Sequence, residues 1–262
     1  MPSVAGTPPI TVRRVAAGRG MAWWGDSFAL LFADLNGLGI WIAMALCTLA
    51  AQSLLQAVPV LGWIGSVFLN VLLQGGLMIA AQATARDGKT RFEDLFGGFS
   101  RSTSALLVLG LLSLLAFAAW AGILLLAGAS ALLAAIGSAW SGSSLTFDGS
   151  IGPGVLWTLF GLVALALVLL LPILMAFWLA PALVVLGGAS PLDAVRLSFL
   201  ACLRNALAMI VYDLIFVLLI LAAVIPLFLG LLILLPLISL STYAIYREVF
   251  APAEASAAIT AP

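Results

Sequence analysis

Apolar residues fill long stretches of this chain, and its polar and charged residues are confined to short segments between them. A helix of about 20 apolar residues crosses about 30 Å of hydrocarbon. The runs predict six spans, near 37–57, 60–84, 104–136, 154–187, 206–226 and 228–247. The stretch "QAVPVLGW", with Pro59 and Gly62, separates the first two, and Pro226 splits the last two. The third and fourth runs are about 50 Å long if helical throughout, at 1.5 Å per residue. They must tilt, bend or protrude. Pro172 and Pro181 are the expected bend points, because proline removes a helix donor and clashes with the preceding turn.

Three segments between the runs share a pattern: "MAWWGDSFALLFAD" (21–34), "FEDLFGGFSR" (92–101) and "PLDAVRLSFLACLRN" (191–205). Each precedes a pair of spans. Each places an acid six residues before a phenylalanine: Asp26 and Phe32, Glu93 and Phe99, Asp193 and Phe199. Their apolar and polar positions alternate at roughly helical spacing, which suits helices lying in the headgroup region; the plainer reading is a loop with ordinary anchors. Helix is favoured in the first and third, whereas Gly97 and Gly98 disfavour it in the second. The expected fold is therefore all-α: a polytopic transmembrane helical bundle with six spans, in three parallel repeats of amphipathic elbow plus helical hairpin. Residues 1–17 are expected to be a disordered cytoplasmic N-terminus, 18–250 the transmembrane domain and 251–262 a disordered tail.

Charge orients this bundle. The ten basic residues are Arg13, Arg14, Arg19, Arg86, Lys89, Arg91, Arg101, Arg196, Arg204 and Arg247. All lie before span one, between spans two and three, between four and five, or at the end of span six. The three opposite connections carry none. The positive-inside rule then places both termini in the cytoplasm. The largest outer loop, "GSAWSGSSLTFDGSIGPG", has Asp148 alone as a charge, with Trp140 and Phe147 suited to the interface. No short apolar core with a small-residue cleavage site follows "RR" near the N-terminus, so span one is expected to serve as an uncleaved insertion signal.

Composition agrees and excludes several chemistries. Of 262 residues, 65% are hydrophobic and 8% charged, against about 45–50% and about 25% in soluble domains. The formal net charge is zero, so nothing points to nucleic acid as a partner. The absence of histidine excludes His-ligated haem, His-based zinc sites and nucleophile–His pairs. Cys47 falls in a span and Cys202 in a cytoplasmic segment, which argues against a disulfide framework. No phosphate loop or "HExxH" is present, and an intramembrane aspartyl protease would need a second carboxylate at depth. The chain is expected to be no enzyme, with no catalytic residues, metal or cofactor.

Three polar groupings remain as candidates. Thr48, Gln52 and Gln56 on span one, and Ser66, Asn70 and Gln74 on span two, recur at spacing four and form one stripe on each helix. In an antiparallel hairpin they would face one another as 48/74, 52/70 and 56/66. They would make either a polar track or ordinary interhelical hydrogen bonds of about 0.6 kcal/mol each. Asp213, in "AMIVYDLIF", lies about 12 Å into the fifth helix, counted from Asn205. An aspartate there costs about 2.5–3.5 kcal/mol. Hairpin pairing sets it against "LISLSTYAIY", with Ser239, Ser241, Thr242 and Tyr243. A neutral Asp213 is expected to donate a hydrogen bond to that stretch, or else to titrate in a solvated cavity. Finally, "ARDGKTRFED" gathers charges, and Arg86, Lys89, Arg91 and Arg101 are placed to meet anionic headgroups at about 1 kcal/mol each.

The stretches "VAAGRGMAWWGDSFALLF", "RFEDLFGGF", "GASPLDAVRLSFLACLRNALAM" and "YAIYREVF" resemble a family of uncharacterised six-span inner-membrane proteins of Gram-negative bacteria. More distantly, they are similar to the membrane domain of some glycerophosphodiester phosphodiesterases. The resemblance implies a bacterial cytoplasmic membrane and no established activity. It supplies no catalytic residue. Two functions follow as expectations: a non-enzymatic scaffold that contacts membrane lipids and possibly other membrane proteins, or a transporter or lipid-handling protein with a cavity near Asp213.

Overall fold

The structure, a computed structural model, describes residues 10–140, 153–226 and 229–250. Residues 1–9, the tail 251–262, and Phe147 and Asp148 of the expected outer loop lie outside them. So does the side chain of Trp140. Six helices among the described residues are long and apolar enough to cross a membrane: Leu35–Gln56, Leu61–Asp87, Thr103–Ala134, Leu156–Val185, Ala206–Val224 and Leu231–Phe250. The chain is an all-helical, multi-pass membrane protein, and its spans fall close to the apolar runs.

The elements are α1 (Arg19–Phe32), α2 (Leu35–Gln56), α3 (Leu61–Asp87), a 3-10 helix (Phe92–Phe99), α4 (Thr103–Trp140), α5 (Pro153–Trp178), α6 (Ala180–Val185), α7 (Pro191–Arg204), α8 (Ala206–Val224) and α9 (Leu231–Phe250). Local chemistry sets their ends. The Asp34 carboxylate caps α2 by accepting from the N–H groups of Asn36 (3.1 Å) and Gly37 (2.9 Å). Gly88, at φ +62°, takes the left-handed conformation that ends α3. Ser190 caps α7 by accepting from the Asp193 N–H, with Pro191 in the first turn. The turn between α2 and α3 is a γ-turn at Val60 (φ 63°, ψ −62°), closed by the Leu61 N–H on the Pro59 carbonyl at 2.7 Å. Of the two expected bend points, Pro181 adjoins the break between α5 and α6, whereas Pro172 lies inside α5 without ending it.

The described chain divides into two compact units, Met1–Leu111 with Met175–Pro262, and Leu112–Leu174. In the second unit the Trp120 indole N–H donates to the Ala166 carbonyl at 3.0 Å. Leu125, Leu126 and Val168 are exposed there, as lipid-facing positions should be. In the first unit a core forms around Trp23, Trp41, Met44, Met78, Leu95, Leu183 and Leu240, all nearly or fully buried.

All three segments that precede span pairs are helical, but the middle one winds as a 3-10 helix. Its packing explains the difference. A Cβ at Gly76 of α3 would overlap the Leu95 carbonyl, and a Cβ at Gly98 would overlap the Leu72 carbonyl. The glycines that lower helix propensity are what allow the backbone of this segment to lie directly on α3. Residues 10–17, part of the 1–17 stretch expected to be disordered, form no helix but are held in place. The Val15 N–H donates to Asn205 Oδ1 (2.8 Å), Asn205 Nδ2 donates to the Arg13 carbonyl (3.0 Å), and the Arg13 N–H donates to the Val249 carbonyl (3.0 Å). The polar composition that suggested disorder leaves backbone groups free to bond a buried asparagine.

Candidate functional site

An open cleft of about 260 Å³ lies between the end of α3, the 3-10 helix and Arg101 just beyond it. Arg86, Lys89, Arg91 and Arg101 line it, together with Asp87 and Asp94. The four basic residues picked out in sequence are thus brought to one place. Two elements do this. The left-handed Gly88 turns the chain sharply after α3, and the glycine-mediated contact lays the 3-10 helix back along that same helix. Arg86 also lies close enough to Tyr243 and Tyr246 of α9 to interact with both hydroxyls. Arg91 makes a loose, exposed ion pair with Glu93 at 3.9 Å, a kind worth little.

Asp94 is the unusual member of this group. Its Oδ2 is closed off from solvent and has no hydrogen-bond partner. Burial pushes its carboxyl above the ordinary aspartate range, opposed by Arg91 and Arg101 and reinforced by Glu93. On the outer side of the 3-10 helix, Phe92, Phe96 and Phe99 are all exposed, with neighbouring ring centroids 6.0 and 6.3 Å apart. A row of exposed aromatic rings beside cationic side chains has the make-up of a membrane–water interface.

A second polar centre joins the beginning of the unit to its end. Arg19 Nε donates to both Glu248 oxygens, at 2.7 and 2.9 Å, and Trp23 Nε1 donates to Glu248 Oε2 at 2.7 Å. Asp26 stands 3.5 Å from Arg19. The hydrogen bond to Glu248 raises the Arg19 pKa most, ahead of the opposing desolvation, and fixes its charge. Glu248 was not singled out in the sequence. The available signal was a lone acid closing an apolar span, inside "YREVF".

Asp213 does not sit where hairpin pairing put it. It is exposed, and among the described residues it makes no hydrogen bond to Ser239, Thr242 or Tyr243. The preceding residue takes that place: the Tyr212 hydroxyl shares a hydrogen bond of 2.8 Å with Ser241. Trp24 stacks on Tyr212 at 4.7 Å, and Trp178 packs against it at 5.3 Å. Thr242 accepts from Trp178 Nε1 (3.3 Å) and donates to the Ile238 carbonyl (2.8 Å), while Ser239 and Tyr243 are buried. One residue is a 100° turn of a helix. In a span that is apolar all round, the sequence gives no phase to say which of Tyr212 and Asp213 faces inward. The bulk of tyrosine and its aromatic neighbours decide it.

The polar stripes of α2 and α3 also fail to meet as a ladder. Thr48 donates to the Met44 carbonyl and Ser66 to the Trp63 carbonyl, each within its own helix. Gln52 Nε2 is buried without a partner, while Asn70 and Gln56 are exposed and Gln74 is half-buried. The expected register sets position 55 against 67. In the structure Leu55 instead lies against Gly62 and Gly65, because the tight turn at Val60 brings the helices together close to their ends.

Both cysteines are free. Burial pushes the Cys202 thiol up to about 12, with the Asp213 charge adding to the effect, so it is inert as a nucleophile. No group of three or more Cys, Asp or Glu side chains placed to hold a metal occurs among the described residues. Comparison of the chain with protein-family models, with curated proteins and with solved structures yields no match.

Proposed function

We propose that this chain is a non-catalytic, multi-pass protein of a bacterial cytoplasmic membrane that holds anionic lipid headgroups on its basic face and acts there as a scaffold. The supporting observation is the cleft that gathers Arg86, Lys89, Arg91 and Arg101 beside the exposed Phe92, Phe96 and Phe99. The rings enter the acyl boundary and set the depth; the cations meet phosphates. In this reading α1, the 3-10 helix and α7 are the elbows of three parallel repeats, each leading into a helical hairpin. Both termini face the cytoplasm, following the one-sided placement of basic residues. A transporter built around Asp213 has less support, since that carboxylate faces away from the hydroxyls of α9.

Lipid binding tests the proposal. The purified protein should bind vesicles or nanodiscs containing anionic phospholipid more tightly than those of phosphatidylcholine alone. Each Arg→Gln or Lys→Gln change at 86, 89, 91 or 101 should weaken this about fivefold, from about 1 kcal/mol per basic residue at an anionic surface. Equal affinity of the fourfold Gln variant and the parent would sink the reading. Orientation is tested separately in intact cells. Cysteines introduced at Ser143 or Ser144 should react with an impermeant maleimide, and Lys89→Cys should not; labelling of Lys89→Cys from outside reverses the topology.

A further inference from the structure

We propose that the cleft selects, among anionic lipids, a phosphodiester headgroup that carries a hydroxyl donor, of the phosphatidylglycerol type, with Asp94 accepting that hydroxyl while the surrounding Arg and Lys hold the phosphate. This rests on the reading of the cleft as a headgroup site and adds a specificity to it.

Asp94 lies in the wall of a cleft whose other charges are mainly cationic, yet no protein donor satisfies its Oδ2. A buried acceptor left without a donor is unfavourable, and buried polar groups are normally paired. Arg91 and Arg101 oppose the effect of burial on its carboxyl, yet neither donates a hydrogen bond to Oδ2. Oδ2 is closed off from solvent in this structure, but the final torsion of aspartate is soft, so the half-buried carboxylate can turn it toward a donor arriving in the cleft without moving the backbone. The cleft is open and has a volume of about 260 Å³. That is space for a small polar headgroup. A bare phosphate monoester would satisfy the cations but leave Asp94 facing added negative charge. A choline headgroup brings a cation with no hydrogen-bond donor. A glycerol headgroup offers phosphate to the basic side chains and a hydroxyl to the carboxylate. The exposed Phe92, Phe96 and Phe99 beside the cleft favour a ligand anchored in a bilayer over a soluble ester.

The test uses the full chain in nanodiscs doped with phosphatidylglycerol or with phosphatidylmethanol, which has the same phosphodiester and no hydroxyl. A phosphatidylcholine background serves as the zero. The parent should prefer phosphatidylglycerol about tenfold, as for one hydrogen bond to a charged acceptor. Asp94→Ala should bring the ratio near one while keeping phosphatidylmethanol binding, which also reports that the variant is folded. Should Asp94→Ala not fold, Asp94→Asn carries the test, and a reduced ratio is expected. A parent ratio near one, or a ratio unchanged in both variants, overturns the role of Asp94 while leaving the anionic preference in place. Absence of any anionic preference over phosphatidylcholine overturns the headgroup site itself. Displacement of the lipid by micromolar sn-glycerol 3-phosphate would assign the cleft to a soluble ester and overturn the lipid assignment.

Discussion

Gly76→Ala is expected to destabilise the protein severely, by an amount at or above the upper end of the about 1–3 kcal/mol typical of overpacking. The added methyl would overlap the Leu95 carbonyl oxygen. That atom belongs to a backbone held on α3 by neighbouring contacts, so it cannot swing aside as a long side chain would. Gly98→Ala meets the Leu72 carbonyl in the same way. Gly161→Ala, where nothing lies within 4 Å, is the matched control. There alanine should be neutral or raise stability by up to about 1 kcal/mol through helix propensity. Thermal unfolding in one detergent compares the three. A Gly76→Ala midpoint equal to that of the parent would refute the close packing of the 3-10 helix on α3. Loss of anionic lipid binding should accompany the destabilisation, because that packing brings Arg91 and Arg101 to Arg86 and Lys89.

Glu248→Ala is expected to cost about 1–3 kcal/mol, chiefly by leaving the indole N–H of the fully buried Trp23 without an acceptor. The ion pair itself counts for less. The Arg19 side chain is 40% exposed, and partly solvated pairs contribute at most about 1 kcal/mol. Glu248→Gln keeps an acceptor for Trp23 and removes the charge, so it should retain most of the stability. Unfolding of the purified variants should rank parent, Gln, then Ala. An Ala variant as stable as the parent would show the network to be dispensable. A Gln variant as weak as Ala would show that charge, and not the bond to Trp23, holds α1 to α9.

How much of this was legible in the sequence differs from element to element, for physical reasons. The spans were readable because hydrocarbon thickness imposes a length, and apolar runs announce it without any tertiary information. The four basic residues of the cleft were readable because their separation along the chain is short and a single turn connects them. Facing relations were not. Tyr212 and Asp213 are neighbours in a helix with no polar face, so rotation about the axis was set by where Trp24 and Trp178 pack. The ladder of Gln52 and Asn70 assumed a symmetric hairpin, whereas the turn at Val60 sets the register locally. Gly97 and Gly98 are poor helix formers in an isolated segment. Their use is tertiary, and a single sequence does not show the Ile79 side chain that approaches Gly97 or the Leu72 carbonyl that approaches Gly98. Arg19 and Glu248 were invisible as a pair, because nothing in the sequence marks partners 229 residues apart.

That separation has a consequence for biosynthesis. At about 5–20 residues per second, the ribosome finishes α1 roughly ten to fifty seconds before it makes the glutamate that α1 binds. Through most of this interval the helix, with Trp23 and Trp24, has neither α8 nor α9 to pack on. Its amphipathic character offers a resting place at the surface of the bilayer, where indole rings are at home. The nascent protein can then add hairpins one after another behind a parked first helix, and only the last of them closes over it.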